Sequence, residues 1–233
     1  VGRAPGVITF DAVTVIATTT DGPLTILDAI SLELAESRIA LIGPNGSGKS
    51  TLARTINGLA EPSSGTVTVN GLDVARHGSR VRRQVGFVFT DPAAQLVMPT
   101  ALEDVELSLR RRVGDRQERR RQAEAVLSSY GLGGLGDRSV HALSGGQRQL
   151  LALAGVLATE PEIVVADEPT TLLDLANSRR IAEVLFGLRQ QLLLLTHDLE
   201  LAARCDRALL VRDGRIAADG DAAEVVAHYR DHP

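Results

Sequence analysis

The chain has few aromatic residues, a single cysteine, no excess of positive charge and no long apolar run. Aromatic residues are 3% of the sequence, so an interior has to be assembled from Val, Leu, Ile and Ala, which suits buried strands packed against helices. Cys205 has no partner in the sequence, which excludes an internal disulfide. No histidine shares a metal-ligand spacing with it, so a buried, inert thiol in a reducing compartment is expected. Lys+Arg 25 against Asp+Glu 29 gives a net charge of -4, without the broad positive field that attracts proteins to nucleic-acid phosphates. A nucleic-acid partner is therefore not expected. The longest apolar tracts, Leu150–Ala158 and Leu192–Leu195, fall short of the roughly 18 residues that mark a candidate membrane-spanning helix. Any membrane role is expected to be peripheral. The first six residues, Val-Gly-Arg-Ala-Pro-Gly, lack the apolar centre of a secretory signal, and the missing initial Met points to a trimmed start.

A chain of 233 residues is expected to form one domain over 1–233, a core with a modest subdomain. Short β-rich runs alternate with helical stretches. Strands are expected at Val13–Ile16, Ile39–Gly43, Thr66–Val69, Val85–Phe89, Ile163–Ala166, Leu192–Thr196, Ala208–Val211 and Arg215–Ala218, with tight turns at Asn70-Gly71 and Asp213-Gly214. A helix is expected over Ser50–Leu59. Between Asp91 and Leu143 the β signal gives way to charged helical sequence, Glu103–Arg112 and Arg116–Tyr130, with a loop at Gly131–Gly136. The arginine clusters Arg110–Arg112 and Arg119–Arg121 read as a solvated helix surface, with a partner subunit or anionic lipid headgroups as the alternative.

The sharpest chemical signal is Gly43-Pro44-Asn45-Gly46-Ser47-Gly48-Lys49-Ser50-Thr51, set between an expected strand and an expected helix as a P-loop requires. Its glycines let successive backbone N–H groups turn inward on a phosphate, and the helix start adds partial positive charge. Lys49 supplies a full charge for the β- and γ-phosphates, and the Ser50 hydroxyl is placed to ligate Mg²⁺, a hard ion that takes oxygen donors. Ile163-Val164-Val165-Ala166-Asp167-Glu168 is an apolar run ending in two acids. Taken alone these could simply cap a strand; beside a P-loop, Asp167 would hold the metal and Glu168 would polarise the attacking water. His197, in Thr196-His197-Asp198, follows another apolar run, where α/β proteins gather their ligands, and a γ-phosphate contact is expected.

These features leave many NTPase classes open. Leu143-Ser144-Gly145-Gly146-Gln147-Arg148-Gln149 narrows them: two glycines permit close phosphate approach, Ser144 offers a hydroxyl, and the following apolar tract forms a helix whose N-terminus faces the same anion. With these motifs in this order, the sequence resembles the ABC ATPase family, whose signature is Leu-Ser-Gly-Gly-Gln, from about Val7 to about Asp221.

The resemblance implies an α/β P-loop NTPase of the ABC ATPase type: a RecA-like core with an antiparallel β subdomain (1–90 and 143–233) and a helical subdomain at approximately 91–142. It implies ATP and Mg²⁺ as cofactors, and a second ATPase subunit, identical or different. In such a head-to-tail pair, Ser144, Gly145, Gly146 and Gln147 of one subunit cover the ATP held by the P-loop of the other, and Asp174 falls in the loop that links the two sites. Thr171-Leu172 departs from the usual Ser-Ala start of that loop.

Two further positions depart from the family pattern. Thr90 stands where a glutamine normally touches Mg²⁺ and the attacking water, so either the shorter hydroxyl acts through a water or Gln95 substitutes. Ala17 stands about where an aromatic residue usually stacks on adenine. The Asp91–Leu96 segment is similar to that of ATPases from energy-coupling-factor vitamin and cobalt importers, and Thr90 with Val165–Leu175 is most similar to the biotin branch. This implies a transmembrane coupling protein and a substrate-binding membrane protein as partners, at the cytoplasmic face of the membrane. Alternatives within the fold are an exporter subunit, or a soluble ABC ATPase of repair or translation. The short insert, single P-loop and single signature argue against the latter. Lys49, Asp167, Glu168 and His197 together argue against a nucleotide switch without turnover.

Overall fold

The computed structural model describes residues 6–20 and 22–232; the N-terminal segment read above for a secretory signal lies largely outside them. In chain order, β1 (Ile8–Thr19) and β2 (Gly22–Leu34) form a long hairpin, and β3 (Arg38–Ile42) leads to α1 (Lys49–Thr55). Next come β4 (Ser64–Val69), β5 (Leu72–Asp73), α2 (Val74–Gln84), β6 (Val85–Val88), α3 (Ala101–Leu109), α4 (Arg116–Ser129) and α5 (Gly145–Ala158). The chain closes with β7 (Ile163–Asp167), α6 (Leu175–Phe186), β8 (Gln191–Leu195), α7 (Leu199–Ala202), β9 (Arg207–Arg212), β10 (Arg215–Asp221) and α8 (Ala222–Asp231).

Among the described residues the strands form two sheets. One is antiparallel, in the order β2-β1-β4-β5, and the other has the order β10-β9-β3-β8-β7-β6. In the second sheet β9, β3, β8, β7 and β6 run parallel, and β10 pairs antiparallel at the edge. The parallel strands are continuous apolar runs because both faces are covered. The two-residue period divides their side chains cleanly. Ala40, Ile42, Val164, Ala166, Leu192 and Leu194 join a core with Leu150, Leu151 and Leu153 of α5 and Ala101 and Val105 of α3. Ile39, Leu41, Ile163, Val165, Leu193 and Leu195 join a second core with Leu52 of α1, Ile56 just after it, and Ile8, Phe10 and Leu27 of the antiparallel sheet.

Several boundaries differ from those expected. The helix expected over Ser50–Leu59 stops at Thr55, where Leu59 N and Ala60 N both fold back onto Arg54 O and Gly58 takes φ +72. The first strand is 12 residues rather than four, and its 13-residue partner is an addition to the expected strands. In that partner the buried residues are Leu27, Ile30 and Leu34; a bulge at Ala29, φ 47, makes the Leu27–Ile30 interval three residues, out of step with the two-residue period that resumes from Ile30. Between residues 91 and 142 the described backbone is helix and turn apart from an isolated bridge, Thr100 to Ser139. A capping box of Thr100 and Glu103 starts α3, and Asp115 caps α4.

The arginine clusters are largely committed to their own chain. Arg112 donates to Ala158 O at 2.9 Å and pairs with Glu160 at 2.6 Å. Arg119 donates to the carbonyls of Val113 and Gly114, Arg120 pairs with Glu124, and Arg121 with Glu118. Cys205 is buried, and burial pushes its thiol up to about 12, which suppresses the reactive thiolate. Among the described residues no helix is long and apolar enough to cross a membrane.

Candidate nucleotide site

The parallel pairing sets the site. Leu41 lies beside Leu195, Leu195 beside Asp167, and Val88 beside Ala166, so the segments leaving β3, β8, β7 and β6 emerge together at the carboxyl edge. Residues 43–51, Thr196–His197, Asp167–Glu168 and Phe89–Thr90 are those segments.

The loop after β3 turns at Gly43, φ +137, where a side chain would collide with the Val211 carbonyl oxygen. Gly48 is the N-cap of α1 and gives no side-chain cap. Lys49 is buried and donates to Gly43 O at 2.7 Å and Pro44 O at 2.8 Å. Burial lowers its pKa, against the pull of Glu168 and Asp167, which raise it. Ser47 Oγ is buried without a hydrogen-bond partner among the described residues, a hydroxyl placed to meet an incoming acceptor or donor.

Ser50 Oγ donates to Asp167 Oδ1 at 3.0 Å. Asp167 is 2% exposed; burial raises its pKa, opposed by the Ser50 hydrogen bond and by Arg54, whose Nη2 is 3.8 Å from Oδ2. Glu168 takes φ 50, in the left-handed region. Its Oε2 accepts from Thr171 Oγ1 at 2.8 Å and lies 2.7 Å from His197 Nδ1. With a carboxylate as acceptor, Nδ1 is the donor. The His197 side chain is 63% exposed, so its other face is open to solvent.

Thr90 and Gln95 diverge. Thr90 Oγ1 donates to Asp167 O at 2.9 Å. Gln95 has its Oε1 3.4 Å from Phe89 N and its Nε2 3.2 Å from Ala152 O, so its amide is taken up in tying the loop to α5. Ala17 pairs with Leu24 across the β1–β2 hairpin, and with Ile16 and Leu24 46% and 53% exposed, aliphatic surface stands where the family usually places an aromatic.

Ser144 caps α5 in a reciprocal box: its hydroxyl accepts from Gln147 N at 3.2 Å and its N–H donates to Gln147 Oε1 at 2.9 Å. Gly146 packs so closely on Asn177 that a Cβ there would overlap the carboxamide. Asn177 in turn holds Asp174, the N-cap of α6, through its backbone N–H at 2.9 Å and Nδ2 at 2.7 Å. Those two hydrogen bonds hold the exposed Asp174 carboxyl below its usual pKa. Residues 144–147 and 174 are therefore joined in one chain, whereas no hydrogen bond or ion pair among the described residues links 144–147 to 43–51. Sequence reasoning missed Arg54 and Asn177. Arg54 lies four residues after Ser50, one helical turn on the same face, and was findable by that spacing; the role of Asn177 depends on helix packing.

Known proteins share this architecture. The family model described as ABC transporter matches residues 27–171. The biotin transport ATP-binding protein BioM of Rhizobium etli is 44% identical over 205 residues, covering 88% of this chain and 91% of the relative. The energy-coupling factor transporter ATP-binding protein EcfA1 of Halalkalibacterium halodurans is 40% identical, covering 83% of this chain and 71% of the relative. Among solved structures, cbiO1 from Clostridium perfringens, part of the ABC transporter complex cbiONQ, superposes with TM-score 0.81 at 29% identity, covering 96% of this chain and 92% of that one. The ATP-binding cassette MJ0796, solved as a dimer bound to ADP and Pi, gives TM-score 0.83 at 29% identity, covering 92% of this chain and 98% of that one. This chain therefore belongs to the ABC transporter family, as an ATP-binding subunit that hydrolyses ATP for transport.

Proposed function

We propose that this subunit energises an energy-coupling-factor-type importer, with biotin as cargo, working as one of a pair at the cytoplasmic face of the membrane. In this reading the loop 43–51 holds the ATP phosphates, with Lys49 on the β- and γ-phosphates. Its ammonium exchanges the two loop carbonyls for phosphate oxygens, and the buried Ser47 hydroxyl, without a partner among the described residues, is a further donor inside the cradle. Ser50 and Asp167 suit Mg²⁺: a hydroxyl and a carboxylate 3.0 Å apart are hard oxygen donors, and that ion is usually shared between one or two carboxylates and substrate phosphates. When bound, Mg²⁺ neutralises charge on the phosphate oxygens. Glu168 accepts the proton of the attacking water, and His197 steadies that carboxylate while its exposed face reaches the γ-phosphate.

The observation that carries the reading is the division of the phosphate-binding parts. The carboxyl edge of the parallel sheet gathers Lys49, Ser50, Asp167, Glu168 and His197, while the capped glycine pair of residues 144–147 stands apart from it. A second copy or a related subunit, docked head to tail, would bring Ser144–Gln147 over the ATP, with Asp174 linking the two sites. Helices of a transmembrane coupling protein would dock in the cleft of about 240 Å³ lined by Phe87, Gln95, Val97, Leu107 and Val156, between the helical subdomain at approximately 91–142 and the core. Biotin is supported by the 44% identity to BioM of Rhizobium etli and a further 42% to BioM of Rhodobacter capsulatus.

The test combines Asn45→Cys and Ser144→Cys with Glu168→Gln and a short thiol crosslinker in Mg-ATP. The native Cys205 is buried and does not compete. Nucleotide-dependent crosslinked dimers are expected, and monomer alone would overturn the paired site. Purification from membranes in mild detergent should bring down integral proteins and biotin; recovery of a different cargo would overturn the vitamin assignment while leaving the ATPase intact.

A further inference from the structure

We infer that Thr90 is a positioning residue for ATP hydrolysis, acting through the peptide between Asp167 and Glu168 rather than on metal or water. This inference rests on the proposed role of Glu168 as the base. The parallel pairing of β6 with β7 ends at Val88 and Ala166. Two residues past Val88, the Thr90 hydroxyl reaches across and donates to Asp167 O at 2.9 Å, one residue past Ala166. The other end of the same peptide is fixed from the opposite side, where Glu168 N donates to Leu195 O at 3.0 Å. The peptide plane that launches Glu168 is thus clamped from both neighbouring strands.

The clamp matters because Glu168 sits at φ 50, a conformation that a residue with a Cβ keeps only when its surroundings over-determine it. That backbone turn aims the carboxylate at His197 Nδ1 and Thr171 Oγ1. Without the Thr90 hydroxyl, a partly buried carbonyl loses its partner on the β6 side, and the peptide can rotate towards a relaxed φ that swings the carboxylate away. Threonine is well suited to hold such a carbonyl, because its β-branch restricts χ1 and little side-chain freedom is lost in keeping the hydroxyl still. Gln95, the side chain expected as the substitute here, is occupied by Phe89 and Ala152.

The test compares Thr90→Val, which keeps shape but lacks the hydroxyl, with Thr90→Ser, which restores it. In steady-state ATPase assays Thr90→Val is expected to lower kcat about tenfold, the effect of one interaction lost at the transition state, with KM for ATP within about twofold. Thr90→Ser should recover to within about twofold of the natural enzyme. If Thr90→Val does not fold, Thr90→Ala against Thr90→Ser makes the same comparison. A double-mutant cycle separates positioning from packing: on a Glu168→Gln background the residual rate should not change when the Thr90 hydroxyl is removed, because its effect runs through Glu168. An unchanged kcat for Thr90→Val, with Glu168→Gln inactive, overturns the inference alone. Full turnover by Glu168→Gln overturns the role of Glu168 itself. A Thr90→Val loss that persists undiminished in the Glu168→Gln background would make Thr90 a packing residue.

Discussion

Replacing Gly146 by Ala tests the contact between the signature helix and the helix that carries Asp174. A Cβ built on Gly146 lies 2.7 Å from Asn177 Nδ2 and closer still to its Oδ1 and Cγ, whereas relaxed carbon contacts need about 3.5–4.0 Å. The carboxamide must withdraw, and its hydrogen bond to Asp174 Oδ2, 2.7 Å long, breaks; the backbone bond from Asn177 N remains. Losing that bond and displacing the carboxamide costs stability. Gly146 is helical, so Ala returns about 0.5–1 kcal/mol of helix propensity. The two oppose each other. At about 2–4 °C per kcal/mol for a chain of this size, Tm should fall by no more than about 4 °C. On an Asn177→Ala background there is no carboxamide to displace, and the same substitution should raise Tm by about 1–4 °C. Thermal unfolding of the four proteins, followed by circular dichroism, reads this change of sign. An equal Tm shift in both backgrounds, or a fall of about 10 °C in the natural one, would mean that the backbones of α5 and α6 are forced apart, and the side-chain account would be wrong.

Three other outcomes follow from the site. Asp167→Asn should be more stable than the natural protein yet nearly inactive, because burial disfavours the ionised carboxyl. Since its folded pKa lies above the unfolded one, this penalty is absent at low pH and grows as pH rises through the carboxylate range, so the Tm difference should widen from acid to neutral pH and then level; a constant difference would refute the cause. Lys49→Ala removes the ammonium now shared by Gly43 O and Pro44 O, and should weaken ATP binding about 10- to 100-fold, the range for hydrogen bonds to charged groups, as titration with a fluorescent ATP analogue would register. Unaltered affinity would place the phosphates elsewhere. Glu168→Gln should retain ATP on a filter while releasing almost no phosphate, and ordinary phosphate release would remove Glu168 from the base position.

Much of the fold was legible because buried parallel strands advertise themselves. Ile163–Ala166, Leu192–Leu195 and Ala208–Val211 are apolar without interruption, and each falls inside a strand within one residue of the expected ends. The antiparallel partner Gly22–Leu34 was not, because the bulge at Ala29 breaks its two-residue alternation between Leu27 and Ile30. Helix α2 escaped for the opposite reason: Val74 and Val81 alone are buried, and His77 breaks the helical φ/ψ between them, so its apolar stripe is too sparse to be read.

The site divides along the same line, between what is adjacent in sequence and what only strand pairing makes adjacent. Lys49, Ser50, Asp167, Glu168 and His197 could each be named because each follows an apolar strand in a short motif, and parallel pairing brings such ends together. The Thr90 bond to the Asp167 carbonyl joins residues 77 apart and exists only because Val88 is in register with Ala166. A shift of one residue in that pairing would turn Thr90 to the opposite face of the sheet. Set against the glutamine usual at its place, Thr90 invites the expectation of a contact with metal or water. Its hydroxyl instead faces a backbone carbonyl, so the departure from glutamine can be chemically active without reaching the phosphate at all.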